Sequence, residues 1–239
     1  LTAEGVILGR ALPVALMSVS GLLVALLPLV TTLTLPAVPD DLFVVVSVLL
    51  LGSVFIALIG LDAGSAFGGM GSSRHMMVSA LVEPTVLIAV YALSIPVGAS
   101  TLSTILSARM STPASIVSPV SALALVALLI AVIAETGRLP VDNPSTHLEL
   151  TMIHEAMVLE ASGRDLGWIE LASWIRLTGL FGLVANLALP WGIAEQATVG
   201  TLGIGVAAII GKVVVLAGIV AAVEVFLAKV RLFRVPELM

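Results

Sequence analysis

Six apolar runs, each near or above the length of a membrane span, limit what this chain can become. A spanning helix needs about 20 mostly apolar residues. Residues 11–33, 42–61, 76–97, 119–134, 168–189 and 202–228 read as such runs, the fourth being the shortest. In hydrocarbon each backbone N–H and C=O must be satisfied within the protein, so runs of this kind become helices. Only 10% of the 239 residues are charged, against roughly 25% in soluble domains. The expected fold is an all-α integral membrane protein: a polytopic helical bundle of about six transmembrane helices, forming one membrane domain over residues 1–239.

The connectors differ in charge. Residues 34–41 and the segment around Glu195 hold no Lys or Arg, and residues 99–118 hold only Arg109. The opposite side receives Arg10, Arg74, Arg138, Arg164, Lys229, Arg231 and Arg234. Cytoplasmic loops carry the Lys/Arg excess, which predicts cytoplasmic loops over 62–75 and 135–167, both chain ends on that side, and a multi-pass protein of the cell membrane. A net charge of −5 without a basic cluster excludes nucleic acid as a partner. The absence of cysteine excludes thiolate-bound iron–sulfur clusters and disulfides within the chain. The opening LTAEGVILGR lacks a basic n-region and does not read as a signal peptide.

Charge concentrates where a plain connector would not need it. Residues 135–165 contain Glu135, Asp142, Glu149, Glu155, Glu160 and Asp165, the histidines His147 and His154, and the turn formers Gly137, Pro140 and Pro144. Each proline disfavours helix at the residue before it, so the stretch opens as a constrained turn. Ser145 or Thr146 with Glu149 then resembles a capping box for a helix over 147–159. On that helix Glu149, Ile153, Ala156 and Glu160 share one stripe, and His147 and His154 another. A zinc-binding reading of His154-Glu155 fails, because the next histidine of the motif would fall on Val158. A working surface and a solvated face with a Glu160–Arg164 pair both remain open. The Gly-rich segment 62–75 lacks the Gly-Lys-Ser/Thr of a phosphate-binding loop, and reads as a turn whose Ser72 or Ser73 caps the next helix.

Of the charged residues inside the runs, Glu83, Lys212 and Glu224 stand out. Glu83-Pro84 sits about two turns into the third. A charge near the centre of a span costs on the order of 2.5–3.5 kcal/mol and usually faces protein or water, while Pro84 removes a backbone donor. Glu83 is therefore a proton carrier beside a wet pocket or a protonated packing residue. Lys212 and Glu224 are twelve residues apart, about 18 Å along a helix and 120° around it, and cannot pair with each other. Lys212 needs a partner on another helix, or water; Glu224 can snorkel to the basic tail. Asp62, Glu83, Glu135, Glu149, Glu160, Lys212 and Glu224 form a candidate proton pathway. No cofactor motif, catalytic residue or metal site accompanies them, so such a chain carries protons rather than electrons.

Several motifs, in order, carry a resemblance. Ala134-Glu135-Thr136-Gly137-Arg138-Leu139-Pro140-Val141-Asp142-Asn143-Pro144, then Glu149-Leu150 and Glu160-Ala161-Ser162-Gly163, resemble the signature loop of subunit 1 of respiratory complex I, the membrane subunit at its heel. Asp62-x-Gly-Ser-x-Phe, Gly71-Ser72-Ser73-Arg74, Glu83-Pro84 and the terminal Arg234-Val235-Pro236-Glu237-Leu238-Met239 resemble its branch in energy-converting membrane hydrogenases, of the formate hydrogenlyase and hydrogenase-4 type. The family has eight tilted helices, and the chain lacks counterparts of its first helix, the Gln/Gly/Arg/Pro-rich segment after it, and the eighth, as a partial sequence would. Gly137 stands where complex I has Asn, and the segment between Leu150 and Glu160 is longer than in quinone-reducing enzymes. Both departures weigh against a quinone site.

The resemblance implies a coupling role without redox chemistry in this chain. Arg74, Arg138, Asp142, His147 and His154 would dock a soluble arm of iron–sulfur and hydrogenase-like large subunits, which hold the iron–sulfur clusters and, in hydrogenases, nickel–iron. The carboxylate row would pass protons toward antiporter-like membrane subunits, with membrane lipid around the bundle. The quinone-binding subunit 1 of an NADH-quinone oxidoreductase, a stand-alone permease and a purely structural anchor are the competing expectations.

Overall fold

The computed structural model describes residues 3–33, 40–112, 118–138, 141–142 and 152–226. Eight helices run through them: α1 (Ala3–Leu26), α2 (Leu42–Asp62), α3 (Ala66–Ser94), α4 (Leu102–Ser111), α5 (Pro119–Glu135), α6 (His154–Val158), α7 (Gly163–Ala188) and α8 (Val199–Phe226). No β-strand longer than an isolated bridge occurs among the described residues. Five helices, α1, α2, α3, α7 and α8, are long and apolar enough to cross a membrane, and the 17-residue α5 is a shorter apolar helix. This is a multi-pass helical membrane protein. The expected Glu149, His147 and basic tail, Lys229 to Arg234, lie outside the described residues.

Local chemistry explains most boundaries. Asp41 caps α2 by accepting from the Phe43 N–H at 2.9 Å. Ser118 caps α5 by accepting from Ser121 N–H at 3.2 Å, with Pro119 at the first helical position, where its missing donor costs nothing. The predicted first span shifts toward the N-terminus because the residue before Pro28 disfavours helix, and α1 ends at Leu26. The Gly-rich segment 62–75 is not a loop through its length. Gly64, at φ 63°, makes the reversal, Ser65 accepts from Gly68 N–H at 3.1 Å, and α3 is helical from Ala66. Ser65, not Ser72 or Ser73, is the cap. Glu83 therefore lies about 25 Å along its helix axis rather than two turns in. Pro84 does not end α3.

The helices pack α1 against α2 and α7, α3 against α2 and α5, and α7 against α8. At one end of the bundle two backbone bridges join the crossovers, Thr31 with Ala194 and Asp41 with Thr101. The connector 99–118 contains an unpredicted helix, α4. Leu102, Ile105 and Leu106 are fully buried and Arg109 nearly so, the i, i+3, i+4, i+7 stripe of a helix laid on its neighbours. Arg109 donates to Ser121 Oγ at 2.8 Å; burial lowers its pKa from the ordinary guanidinium value, though a guanidinium keeps its charge at physiological pH.

Glycines set how closely α2 and α3 approach. A side chain at Gly68 would collide with the Gly60 carbonyl oxygen, whereas one at Gly69 would meet nothing within 4 Å. Gly68→Ala should therefore lower stability by about 1–3 kcal/mol, the range for overpacking. Gly69→Ala should hold or raise it by up to about 1 kcal/mol through helix propensity. Thermal melts of the two variants in mild detergent check the pair.

Candidate functional site

α2, α3, α5 and α7 converge on one polar centre. Arg176, on α7, extends Nη2 to the Glu135 carboxylate at the end of α5. The same nitrogen donates to Ser53 Oγ at 2.9 Å and to the Leu49 carbonyl at 3.0 Å. Ser53 in turn donates to Glu135 Oε1 at 3.0 Å. Space for the guanidinium comes from Gly52, where a Cβ would stand 3.0 Å from Arg176 Nη1. Glu83 reaches Ser53 from α3 and interacts electrostatically with both Glu135 and Arg176. Glu135 and Glu83 are each 8% exposed and Arg176 9%. The site therefore joins two carboxylates to one cation in low dielectric, where each unpaired charge is costly.

A cavity of about 210 Å³ opens beside this centre, lined among others by His75, Glu135, Arg138, His154, Glu170 and Arg176. Its volume gives room for several waters. Its wall is held by Asp142, whose Oδ2 accepts from Ile153 N–H at 3.1 Å and His154 N–H at 3.0 Å. Arg74 adds a bond from Nη1 to the Met152 carbonyl at 3.2 Å. The short α6 then packs on α3, where Gly71 leaves space for Ala156.

The expected row of ionisable groups is only partly assembled. Glu83 and Glu135 meet. Asp62 is exposed at the end of α2, beside Gly9 of α1, and Glu160 is exposed in the turn after α6. The supposed Glu160–Arg164 pair does not form, because Gly163 at φ 57° separates the two segments and Arg164 lies 3.9 Å from Asp165 instead. The predicted helix over 147–159 is helical only at His154–Val158 among the described residues.

Glu224 pairs with Arg138 at 3.9 Å; the expected partners in the basic tail lie outside the described residues. Lys212 finds its partner on another helix, donating to Asn186 Oδ1 at 2.9 Å. Asn186 itself donates to the Pro28 and Leu29 carbonyls, a network separate from the carboxylate centre. Asp142, expected at a docking surface, is 2% exposed and braces α6 from inside. Sequence reasoning missed Arg176 and Ser53 as site residues. The signal was present: an Arg well inside one apolar run, and a Gly-Ser step in another.

Among the described residues no group of three or more His, Cys, Asp or Glu is placed to hold a metal ion. Fold and site together define a polytopic membrane protein with an internal, charge-compensated carboxylate centre. The chain belongs to the NADH dehydrogenase family, whose pattern matches residues 3–239. It is similar to formate hydrogenlyase subunit 4 of Escherichia coli (strain K12), 29% identical over 229 residues, covering 96% of this chain and 73% of that protein. It is also similar to hydrogenase-4 component C of the same organism, 31% identical over 196 residues, covering 81% of this chain and 60% of that one.

Removing one partner of the buried Arg176–Glu135 pair should be far more costly than removing both. Arg176→Met leaves a buried carboxylate without its cation and should cost about 3–5 kcal/mol. The double change Arg176→Met with Glu135→Met should cost clearly less than that single one, since no charge is then stranded. Melting of both variants in detergent tests this, and equal losses would mean that the pairing is not what holds the helices.

Proposed function

We propose that this chain is the membrane subunit of a complex I-like, proton-translocating oxidoreductase of the membrane-bound hydrogenase or formate hydrogenlyase type. In this reading it anchors a soluble redox arm and couples electron transfer there to proton movement through Glu83 and Glu135. The observation that carries it is a pair of buried carboxylates at Ser53, Glu135 bonded to it and to Arg176 and Glu83 approaching it from α3, next to a cavity at one end of the bundle. Names of both relatives support the hydrogen-metabolising branch.

The soluble arm, with its iron–sulfur clusters and nickel–iron site in other subunits, docks on the end formed by Arg74, Arg138 and the segment carrying His154. By the distribution of Lys and Arg that end is cytoplasmic, and the membrane is the cell membrane. Antiporter-like subunits beside the bundle receive the protons. A cavity of about 210 Å³ is smaller than the roughly 300–1,000 Å³ of ordinary ligand pockets, which favours water and protons over a quinone ring.

Glu83→Gln keeps shape and hydrogen bonding while removing the titrating group. In the intact complex reconstituted into sealed vesicles, this variant should lose proton translocation and keep electron transfer between the soluble substrates. Undiminished translocation per turnover would reject the reading in favour of a structural anchor.

A further inference from the structure

The mechanism just proposed leaves open how a proton reaches Glu83, which does not line the cavity. The orphaned polar atoms of the bundle suggest the answer. Seven buried side-chain atoms have no hydrogen-bond partner among the described residues, and five of them surround this one site: His75 Nε2, Ser79 Oγ, Glu83 Oε1, Glu135 Oε2 and Arg176 Nε. Buried polar atoms are nearly always paired, with protein or with ordered water, so a concentration of orphans marks a place built for water. Three of the five lie on one helix at four-residue steps. His75, Ser79 and Glu83 stand about 6 Å apart along α3 and within about 80° around its axis.

His75 lines the cavity and Glu83 belongs to the carboxylate centre, so Ser79, 1% exposed, is the rung between them. We propose that His75 and Ser79 form the proton entry to Glu83, with His75 as the shuttle at the cavity floor. This rests on the coupling role assigned above to Glu83. The groups that act on His75 from other elements are Glu135 of α5, Arg176 of α7 and His154 of α6, so the ring sits between a carboxylate and two cation-capable groups.

The transfer conserves protons and needs no co-reactant. One ring nitrogen of His75 takes a proton from cavity water and the other nitrogen releases one. Ser79 accepts that proton, through a bridging water, as it donates its own hydroxyl proton onward to the Glu83 carboxylate. A histidine suits the place because its two ring nitrogens face different ways, one able to accept a proton as the other releases one.

The test uses the intact complex in sealed vesicles, with redox turnover and proton translocation measured together. His75→Ala should reduce translocation per turnover by roughly 100-fold, the low end for loss of a positioned proton-transfer group, and added imidazole should restore part of it. Ser79→Val, which replaces the rung's hydroxyl with apolar methyl groups, should reduce translocation while imidazole fails to rescue it. Normal translocation in His75→Ala, with Glu83→Gln inactive, would overturn the entry path and leave the coupling role standing. Normal translocation in Glu83→Gln as well would overturn the coupling role itself. Should His75→Ala fail to assemble, Ser79→Val decides alone: unimpaired translocation in it would overturn the path.

Discussion

A guanidinium enclosed between apolar helices dictates much of this architecture. Arginine cannot shed its charge, so Arg176 must be met by an anion and by acceptors for its fork of donors. α5 supplies the anion at its last residue, Glu135, and α2 supplies the acceptors, the Ser53 hydroxyl and the Leu49 carbonyl. One side chain thus ties three helices whose contact faces are otherwise apolar, and Gly52 keeps the niche open. In a bilayer, where apolar contact between helices gains little over contact with lipid, such polar links and close small-residue packing hold a bundle together. The same compensation shapes the chemistry. With Arg176 and Glu135 cancelling, protonation of Glu83 decides whether the centre is neutral or charged.

The far end of the bundle handles polar groups differently. Where α1 gives way at Pro28, the chain leaves carbonyls without helical partners, and Asn186 satisfies two of them with its amide. Lys212 caps the amide oxygen, so a mid-helix ammonium is held by a neutral group, whereas Arg176 has a carboxylate. Arg109 likewise bonds a hydroxyl, that of Ser121. These neutral pairings fit a bracing role at the crossovers. At the α5 end, by contrast, several titratable groups line one cavity.

How much of this the sequence disclosed depended on range. All six apolar runs became helices because length and hydropathy are local properties, and Glu83 stood out because a carboxylate in such a run is costly wherever it points. α4 went unread, although Leu102, Ile105, Leu106 and Arg109 carry helical spacing behind Thr101, because a connector between spans was read for its charge alone. The start of α3 was misread because glycines suggest turns, while here Gly68 and Gly71 serve close packing inside a helix. The pairs Arg176–Glu135 and Arg138–Glu224 join residues 41 and 86 positions apart. Spacing rules cover one helix face, and no such rule reaches another helix. Of the row of ionisable groups the structure brings Glu83 and Glu135 to one centre, and Glu149 lies outside the described residues: charge alone does not say which residues share a wall.

On the proposed reading, the segment that meets the soluble arm also forms the wall of the internal cavity. Asp142 grips the start of α6 by two backbone N–H groups, and His154 in that same turn faces the cavity beside His75. Arg138, at the turn after α5, lines the cavity and reaches Glu224 on α8. A partner pressing on α6 would move His154 without having to deform a spanning helix, since α6 is five residues long and is held by hydrogen bonds and a glycine-floored contact. Movement of Arg138 would be felt at both Glu135, three residues away, and α8. On the proposed reading, electron arrival in the soluble arm needs no long mechanical path to reach the carboxylates. A shift of one short helix alters the electrostatic surroundings of His75, and through it the supply of protons to Glu83.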